Sequence, residues 1–459
     1  MEINQRMSKR FAWLLGVVVL VSIGVLVACG TTYNASSDGL VLVGSQGSGL
    51  IETFSFNLGS GSVSAISNTP TDTSNQTCVL NGVPSSLVLD PKGTYAYAII
   101  NSVSTCAGSA TGILAFKVNS SGSTNVVGSL VAFNSGTVTI QGTAGTESVA
   151  VVPNTIVMDP AGKFLFAADR ATTDDKGLPV PGSVSVFAIG SGGSVTEVAG
   201  SPFFTSNPAT TLLQSAIDIV SVAPTPTVFP AIGLNGVQNS VCSAVGLNPP
   251  TSQYLYAVDG VGNQVFEFGV DTSSGVLKNP SNGSSVPSFS TDQIPAGVAV
   301  DPCNRFVYVS DSHTAKVSGY TICNAVSSGC PLADGSLQQV AGSPFSLSGS
   351  ASSPGPLVVD PFGNNVYVVG TLSNTVSPLK ISPISGALAP MSPATVATGQ
   401  GPMSIAVRGD DNWMFVTNFG SVLLGGSTVS QYAITPATGA LTAQPAIPTD
   451  NLPWGVAVK

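Results

Sequence analysis

The chain has 459 residues, of which 43% are hydrophobic and only 8% are charged, and its formal net charge is −9. A balance of 14 Lys and Arg against 23 Asp and Glu argues against a nucleic-acid-binding surface, because a phosphate backbone requires clustered cations. The 51 Gly and 32 Pro make turns frequent, which is typical of an exported all-β protein and unfavourable for a helical one.

The first 28 residues have the features of a lipoprotein signal peptide. Three basic residues precede an uncharged apolar segment over 11–27, and the string LVAC follows at 26–29. This string resembles a lipobox, which predicts cleavage before Cys29, a lipid on Cys29 and a polar tether over 29–38. The protein is then exported and held by its lipid at the cell membrane or the outer membrane, facing the periplasm or the exterior. An uncleaved anchor is the alternative, although about 17 apolar residues are near the minimum for a span.

From residue 39 onward the chain repeats one unit. Its first two strands flank a tight turn, as in SLVLDPKGTYAYAI (86–99), TIVMDPAGKFLFAA (155–168), GVAVDPCNRFVYVS (297–310) and PLVVDPFGNNVYVV (356–369). In the Asp-Pro-x-Gly turn, Asp bonds the backbone ahead of it, Pro presets φ, and Gly or Asn accepts a positive φ. Looser copies occupy 243–258 and 404–417, so the first strand of the fourth unit is predicted near residue 243.

A third strand and a second glycine turn follow in each unit. The third strand is read from GSVSVFAI, NTVSPLKI and STVSQYAI, and the turn glycine recurs at Gly61, Gly122, Gly193, Gly275, Gly335, Gly386 and Gly439. The string VAGSPF, present at 198–203 and 340–345, is assigned to the fourth strand of units three and five. Seven turn glycines indicate seven units of four antiparallel strands.

Four-stranded units in series predict a β-propeller, because each sheet must bury both faces against neighbours in a closed ring. The first unit begins with a second-strand pattern, GLVLVGSQ (39–46), and LPWGVAVK (452–459) supplies a first-strand pattern. We therefore predict an all-β, seven-bladed propeller over 39–459, with residues 453–459 completing the first blade. Two β-sandwiches are the alternative.

The strings MFVTN (414–418) and VYVSD (307–311), with the Asp-Pro-x-Gly turns and AGSPF, resemble the YVTN and lactonase-type seven-bladed propellers. The resemblance covers nearly all of 39–459 and implies the fold. It also implies an association with the hydrolysis of sugar lactones, such as 6-phosphogluconolactone, or with lactone cyclisation. A phosphosugar requires Arg or Lys at its phosphate, and this acidic chain has few of either. No residue matches a catalytic motif of the family, so only the fold is carried over.

The long insertions of the chain fall on one face of the predicted propeller, and we call this face the rim. They lie after second strands at 101–112, 170–182 and 419–427, and between blades at 71–83, 134–152 and 204–240. Long loops on one side of a rigid scaffold are common binding sites. Neutral insertion is the alternative.

Polar residues form a column where the second strands end: Asp169, Asp259, Asp311 and Asn418, interrupted by Ser45, Ile100 and Gly370. With Arg170 and His313, these four are the predicted ligand-binding residues of the rim; the alternative is that they cap their own turns. His313 is the sole histidine, and with Asp311 it is the weak candidate for a catalytic pair. The Asp-rich string at 169–177 lacks the spacing of an EF-hand, so no metal and no cofactor are predicted.

Six cysteines beyond Cys29 are compatible with disulfides in an exported chain. Cys78 and Cys106 both fall in rim loops and are a possible pair. Two of the three cysteines Cys303, Cys323 and Cys330 are predicted to pair, because all three fall in opposite-face loops of blade five. Cys242 is left with the third.

Two functions remain open from the sequence. The first is a membrane-anchored binding or scaffolding module, whose rim contacts a glycan, peptide or protein partner. The alternative is a lactone hydrolase of the kind that the family resemblance implies. A point change at the rim abolishes turnover in an enzyme, whereas it weakens only affinity in a binding module.

Overall fold

A computed structural model describes residues 38–69, 82–102, 110–139, 146–170, 172–173, 179–205, 217–222, 253–279, 286–323, 330, 332, 334–348, 353–420 and 426–459. The predicted signal peptide, Cys29 and most of the tether lie outside these residues, and their roles stay predictions. Within the described ranges, no helix is long and apolar enough to cross a membrane.

Seven antiparallel sheets follow one another along the chain. Blade one contains β1 (Asp38–Ser45), β2 (Leu50–Asn57) and β3 (Val63–Thr69), and blade two contains β4 (Val83–Leu89), β5 (Tyr95–Asn101), β6 (Gly112–Val118) and β7 (Thr124–Ala132). A hairpin of β8 (Gly136–Thr139) and β9 (Thr146–Val149) precedes blade three, whose strands are β10 (Val152–Met158), β11 (Phe164–Arg170), β14 (Ser183–Ile189), β15 (Val195–Glu197) and β16 (Phe203–Phe204). A second hairpin, of β12 (Thr172–Thr173) and β13 (Pro179–Val180), follows β11.

The remaining blades repeat this plan. Blade four contains β17 (Ile217–Val222), β18 (Gln253–Asp259), β19 (Gln264–Val270), β20 (Leu277–Lys278) and β21 (Ser288–Ser290), and blade five contains β22 (Pro295–Val300), β23 (Phe306–Asp311), β24 (Lys316–Ile322), β25 (Leu337–Gln339) and β26 (Phe345–Ser346). Blade six contains β27 (Pro354–Val359), β28 (Asn365–Gly370), β29 (Thr375–Ile381), β30 (Leu388–Pro390) and β31 (Val396–Ala397). Blade seven contains β32 (Pro402–Val407), β33 (Trp413–Asn418), β34 (Thr428–Thr435) and β35 (Ala440–Pro448), and the last strand is β36 (Pro453–Val458).

The last strand closes the ring, as predicted. β36 pairs antiparallel with β1 and becomes the inner strand of blade one, with Val458 opposite Val41 and Gly455 opposite Gly44. The seven-bladed propeller and its closure are therefore confirmed. The hydrophobic core consists mainly of clusters between neighbouring blades, such as the one that joins blades four and five.

The repeated turn glycines are contacts between blades as well as turns. Gly335 has φ +87°, and a Cβ at this position would lie 2.4 Å from the ring of Tyr254 in the preceding blade. Tyr256 donates its hydroxyl to the Gly335 carbonyl at 2.7 Å, and Tyr308 makes the same bond to Gly386 at 2.8 Å. Glycine recurs here because the turn requires a positive φ and the neighbouring aromatic ring occupies the space of a side chain.

The string VAGSPF bends the outer strand, so its assignment to a continuous fourth strand was wrong in detail. β15 ends before the string, β16 begins at its last residue, and Gly200 between them has φ +88°. The Ser201 hydroxyl accepts the backbone N–H of Val186 at 3.0 Å, and the Ser343 hydroxyl accepts that of Gly319 at 2.8 Å. A serine hydroxyl thus replaces the missing strand partner in both blades.

The inner strand of blade four is β17, which corrects the prediction of a first strand near residue 243. In its register with β18, Ile217 lies opposite Asp259 and Val220 lies opposite Ala257. Both segments are short apolar runs, and the short first turns of the other blades favoured the nearer one. Residues 223–252, which follow β17 in the chain and include the end of the predicted rim insertion 204–240, lie outside the described residues.

The prediction that two of the three cysteines of blade five form a disulfide is confirmed. Cys323 and Cys330 are bonded, with 5.2 Å between their Cα atoms. Cys303 is also disulfide-bonded, and its partner lies outside the described residues. Cys78, Cys106 and Cys242 lie outside them as well, so their pairing stays a prediction.

Candidate functional site

The inner strands share a proline and a bulge at the rim end. The prolines are Pro84, Pro153, Pro295, Pro354, Pro402 and Pro453, and the register shifts directly after each of them. The bulges contain Ser85, Asn154, Ala296, Gly355 with Pro356, Met403 and Trp454; the corresponding positions of blade four are Asp218 and Ile219. Proline suits the start of such a strand because it has no N–H to donate to the ladder.

These bulges surround the mouth of a central channel. The cavity of about 730 Å³ is lined by inner-strand residues of blades one, two, three, five, six and seven, and by a few residues from the ends of second strands. Its volume is in the range of small-molecule sites. Among the described residues that line it, Arg170 is the single charged side chain, and there is no carboxylate or imidazole.

Arg170 lies at the end of β11, where its side chain is exposed at the channel mouth. Its Nη2 donates to Oδ1 of Asn154 at 2.6 Å. Asn154 is the bulged residue of the neighbouring inner strand, so the strand bulge orients the guanidinium toward the channel. The predicted rim residue Arg170 is therefore at the mouth.

An aromatic pair occupies the mouth at blades seven and one. The rings of Phe419 and Trp454 meet edge to face with 5.0 Å between their centroids. Thr417 donates its hydroxyl to the carbonyl of Trp454 at 2.8 Å, which fixes the backbone of this bulge. Trp454 is half-buried and lines the cavity.

Two rim hairpins pack against each other at blade three. Val149 of the β8–β9 hairpin and Val180 of the β12–β13 hairpin are buried together against Phe204. Glu197 accepts the backbone N–H of Asn134 at 2.7 Å, which ties the first hairpin to the outer strand. The described parts of two predicted rim insertions, 134–152 and 170–182, therefore pack together. The second of them begins at Arg170.

The predicted polar column exists but does not line the cavity. Asp169, Asp311 and Asn418 each lie opposite the first proline of an inner strand. Asp169 accepts hydroxyl hydrogen bonds from Ser183 and Ser185, at 2.8 and 2.7 Å. The three column residues Asp169, Asp311 and Asn418 are each no more than 1% exposed. Their hydrogen bonds are made within their own blades.

The other column residues behave similarly. Asp311 accepts the hydroxyl of Ser318 at 2.8 Å. Asp259 accepts the backbone N–H groups of Val261 and Gly262, at 3.0 and 2.9 Å, and so caps its own turn. The turn-capping alternative therefore describes Asp259, and a ligand-binding role of the column stays a prediction.

His313 is exposed on the rim turn of blade five and does not line the cavity. Its backbone N–H donates to the carbonyl of Gln293 at 3.3 Å. In the described part of the chain, no hydrogen bond joins its imidazole to Asp311. The structure does not bring these two candidates together as a catalytic pair, and their role stays untested. Asp174 and Asp175 of the Asp-rich string lie outside the described residues.

Buried carboxyl groups recur in this layer beneath the rim. Burial raises the pKa of Asp169 and that of Asp311 to about 7, although serine hydroxyls bonded to each carboxylate lower it. In blade one the two positions are exchanged: Glu52 of the third strand supplies the carboxyl group and Ser45 at the end of the second strand donates to its Oε2, and burial raises the pKa of Glu52 to about 7. A raised pKa in the folded state means that these groups stabilise the fold below pH 4 and lose that contribution as the pH rises through 7.

Asp311→Asn tests the pH dependence of stability that the raised pKa of Asp311 predicts. Asn418 holds the same register position in blade seven and bonds Ser430 there, so the fold accepts an amide. We expect the variant to be about 1–2 kcal/mol more stable than the wild type at pH 8.5 and equal at pH 4. Urea unfolding at both values measures this; lower stability of the variant at pH 8.5 would contradict it.

Sequence reasoning missed the residues that line the mouth most closely. Asn154, Met403 and Trp454 were not singled out, because a strand bulge is not visible in apolar periodicity. A signal is nevertheless present: the strings PSS, PNT, PAG, PMS and PWG stand at 84–86, 153–155, 295–297, 402–404 and 453–455. In each, proline is followed by the bulged residue and then by a small one.

No protein-family model matches the chain, and no curated protein matches its sequence. Solved structures do match over nearly its whole length. A candidate 6-phosphogluconolactonase of Bacteroides fragilis is 17% identical with a TM-score of 0.61, and the match covers 93% of this chain and 99% of that one. The periplasmic gluconolactonase of Pseudomonas aeruginosa is 16% identical with a TM-score of 0.60, covering 92% and 99%. These likenesses show a fold shared with lactonase-type propellers.

Proposed function

We propose that the chain is a hydrolase for neutral lactones and that it acts at the channel mouth. The observation that carries this proposal is the Arg170 guanidinium, held by Asn154 at the edge of a cavity of about 730 Å³. The shared fold with proteins named as gluconolactonases supports the reaction class. A neutral substrate fits better than a phosphorylated one, because Arg170 is the single cation among the described lining residues and leaves part of the charge of a phosphate dianion uncompensated.

Hydrolysis of a lactone begins with attack of water on the ring carbonyl, which converts the carbonyl oxygen into an oxyanion. The guanidinium of Arg170 donates to this oxygen and stabilises the negative charge as it develops. Asn154 acts as a positioning residue, since its Oδ1 accepts one N–H of Arg170 and fixes the plane of the guanidinium. The proton lost by the attacking water goes to solvent. When the intermediate collapses, the carbonyl re-forms, the bond between the acyl carbon and the ring oxygen breaks, and this oxygen takes a proton from solvent water to become the hydroxyl of the product hydroxy acid.

Arg170→Ala should therefore lower kcat/KM for lactone opening about 100-fold, which is typical of removing one oxyanion donor. A pH-stat assay of residues 38–459 on a panel of lactones measures this.

Two variants control this test. Lys163→Ala removes the same charge from the opposite face of blade three, where Lys163 is exposed, and should leave kcat/KM unchanged. His313→Ala tests whether turnover depends on the rim of blade five and not on the channel mouth. Loss of turnover in His313→Ala, with full turnover in Arg170→Ala, would reject the proposed site in favour of the histidine.

A binding module is the second candidate, and the two packed rim hairpins of blade three favour it. They are joined by their own small apolar cluster, and ordered insertions of this kind suit a glycan, peptide or protein partner. Absence of turnover on every lactone, in a chain that binds such a partner, would establish this function instead. Export and the lipid on Cys29 stay predictions in both cases.

A further inference from the structure

The described bulge positions divide the channel mouth into two halves of different chemistry. We name as the polar arc Ser85, Asn154 and Arg170, from the adjacent blades two and three. We name as the apolar arc Ala296, Pro356, Met403 and Trp454, from the consecutive blades five, six, seven and one. All four members of the apolar arc are half-buried and line the cavity.

Two hydroxyl groups beside the apolar arc, those of Ser312 and Thr371, already donate to the protein. Ser312 donates its hydroxyl to the carbonyl of Ile294 at 2.8 Å, and Thr371 donates to that of Ser353 at 2.8 Å. A polyhydroxylated ring lying on this side would give up water around its hydroxyls and would find few donors in exchange. Hydroxyl groups of the ligand that lose water without gaining a protein partner make binding of such a ring on this side unfavourable.

An aliphatic group has the opposite requirement. Met403 has a flexible, polarisable side chain that adapts to the shape of an apolar ligand. The indole of Trp454 adds a rigid apolar surface, and its ring packs nearly perpendicular to that of Phe419. Neither arc presents a second charge in the described residues, so an aliphatic group meets no charged neighbour there.

We propose that the channel mouth selects lactones that carry an aliphatic substituent, with the carbonyl at the polar arc and the substituent on the apolar arc. This inference rests on the proposed function and names its substrate class. A sugar lactone, whose ring carries several hydroxyls, is then a poorer substrate than an alkyl lactone of the same ring size.

Three δ-lactones with the same six-membered ring test the selection: δ-decalactone with a pentyl substituent, δ-valerolactone with none, and glucono-δ-lactone with hydroxyls. We expect kcat/KM for δ-decalactone to exceed that for each of the other two about tenfold, because burial of the pentyl group removes apolar surface from water. Met403→Gln, of similar length but polar, should reduce this ratio to about threefold or less. Met403→Leu should keep it.

Equal or higher kcat/KM on glucono-δ-lactone would overturn the inference and leave the hydrolase proposal standing. No turnover on any of the three would overturn the hydrolase proposal, and binding of the ring-opened products would then decide the inference. Calorimetry should show that 5-hydroxydecanoate binds about tenfold more tightly than 5-hydroxypentanoate in the wild type, and equally in Met403→Gln. Equal affinities of the wild type for both acids would overturn it.

Discussion

A chain that ends at Leu452, without β36, should show no cooperative unfolding transition at 25 °C. β36 supplies the inner strand of blade one, and its pairing with β1 is the contact that closes the ring. Its loss exposes the inner edge of β1 and also uncovers Leu87 of blade two, which packs 3.2 Å from the position of a Cβ at Gly455. The expected loss is most of the free energy of unfolding, which for a domain is of the order of 5–15 kcal/mol.

Circular dichroism and urea unfolding of the shortened chain measure this effect. A chain that ends at Val458 is the matched control, because it keeps β36 and loses only Lys459, whose carbonyl accepts hydrogen bonds from Leu40 and Arg408. A synthetic peptide of residues 452–459, added to the shortened chain, should restore the transition by pairing with β1. An unchanged midpoint without the peptide would show that β36 does not close the ring.

Arg305→Met should lower the free energy of unfolding by about 3–5 kcal/mol. The Arg305 side chain is 2% exposed and bonds the buried carboxylate of Asp301 through Nε and Nη2, at 2.9 and 2.7 Å. Nη2 also donates to the carbonyl of Gly363 at 2.8 Å, which joins the first turns of blades five and six. The substitution leaves Asp301 with a buried charge and no cation beside it.

Lys163→Met is the matched control for this prediction, because Lys163 holds the same place in the first turn of blade three and is exposed. We expect it to change the free energy of unfolding by less than about 0.5 kcal/mol. The double variant Asp301→Asn with Arg305→Met removes the orphaned charge and should recover part of the loss. Equal stability of Arg305→Met and wild type would mean that the ion pair contributes nothing to the packing of these blades.

The parts of the fold that the sequence predicts are those with a local physical signature. The Asp-Pro-x-Gly turn is an example: Asp159 accepts the backbone N–H groups of Lys163 and Phe164 at 2.6 Å, and Gly162 has φ +67°. The turn glycines are another, because positive φ and a neighbouring aromatic ring exclude other residues there. Ring closure followed from the first-strand pattern at 452–459.

The parts that the sequence did not predict depend on pairing between distant segments. The register of β17 with β18 selects Ile217–Val222 as an inner strand over the equally apolar segment near 243. The break in VAGSPF depends on a hydrogen bond from Val186 to Ser201 across the sheet. The same holds at the candidate site, where Arg170 was predicted as a rim residue but its partner Asn154 was not, since the bulge that brings them together is a tertiary feature.

The most direct test of the proposed site is a crystal structure with δ-valerolactam, a ring amide of the same size as a δ-lactone that resists hydrolysis. We predict that its carbonyl oxygen accepts a hydrogen bond of about 3 Å from the guanidinium of Arg170. Its ring methylenes should lie toward Met403 and Trp454. A channel mouth without lactam at saturating concentration, or lactam bound away from Arg170, would contradict the assignment of lactone hydrolysis to this site.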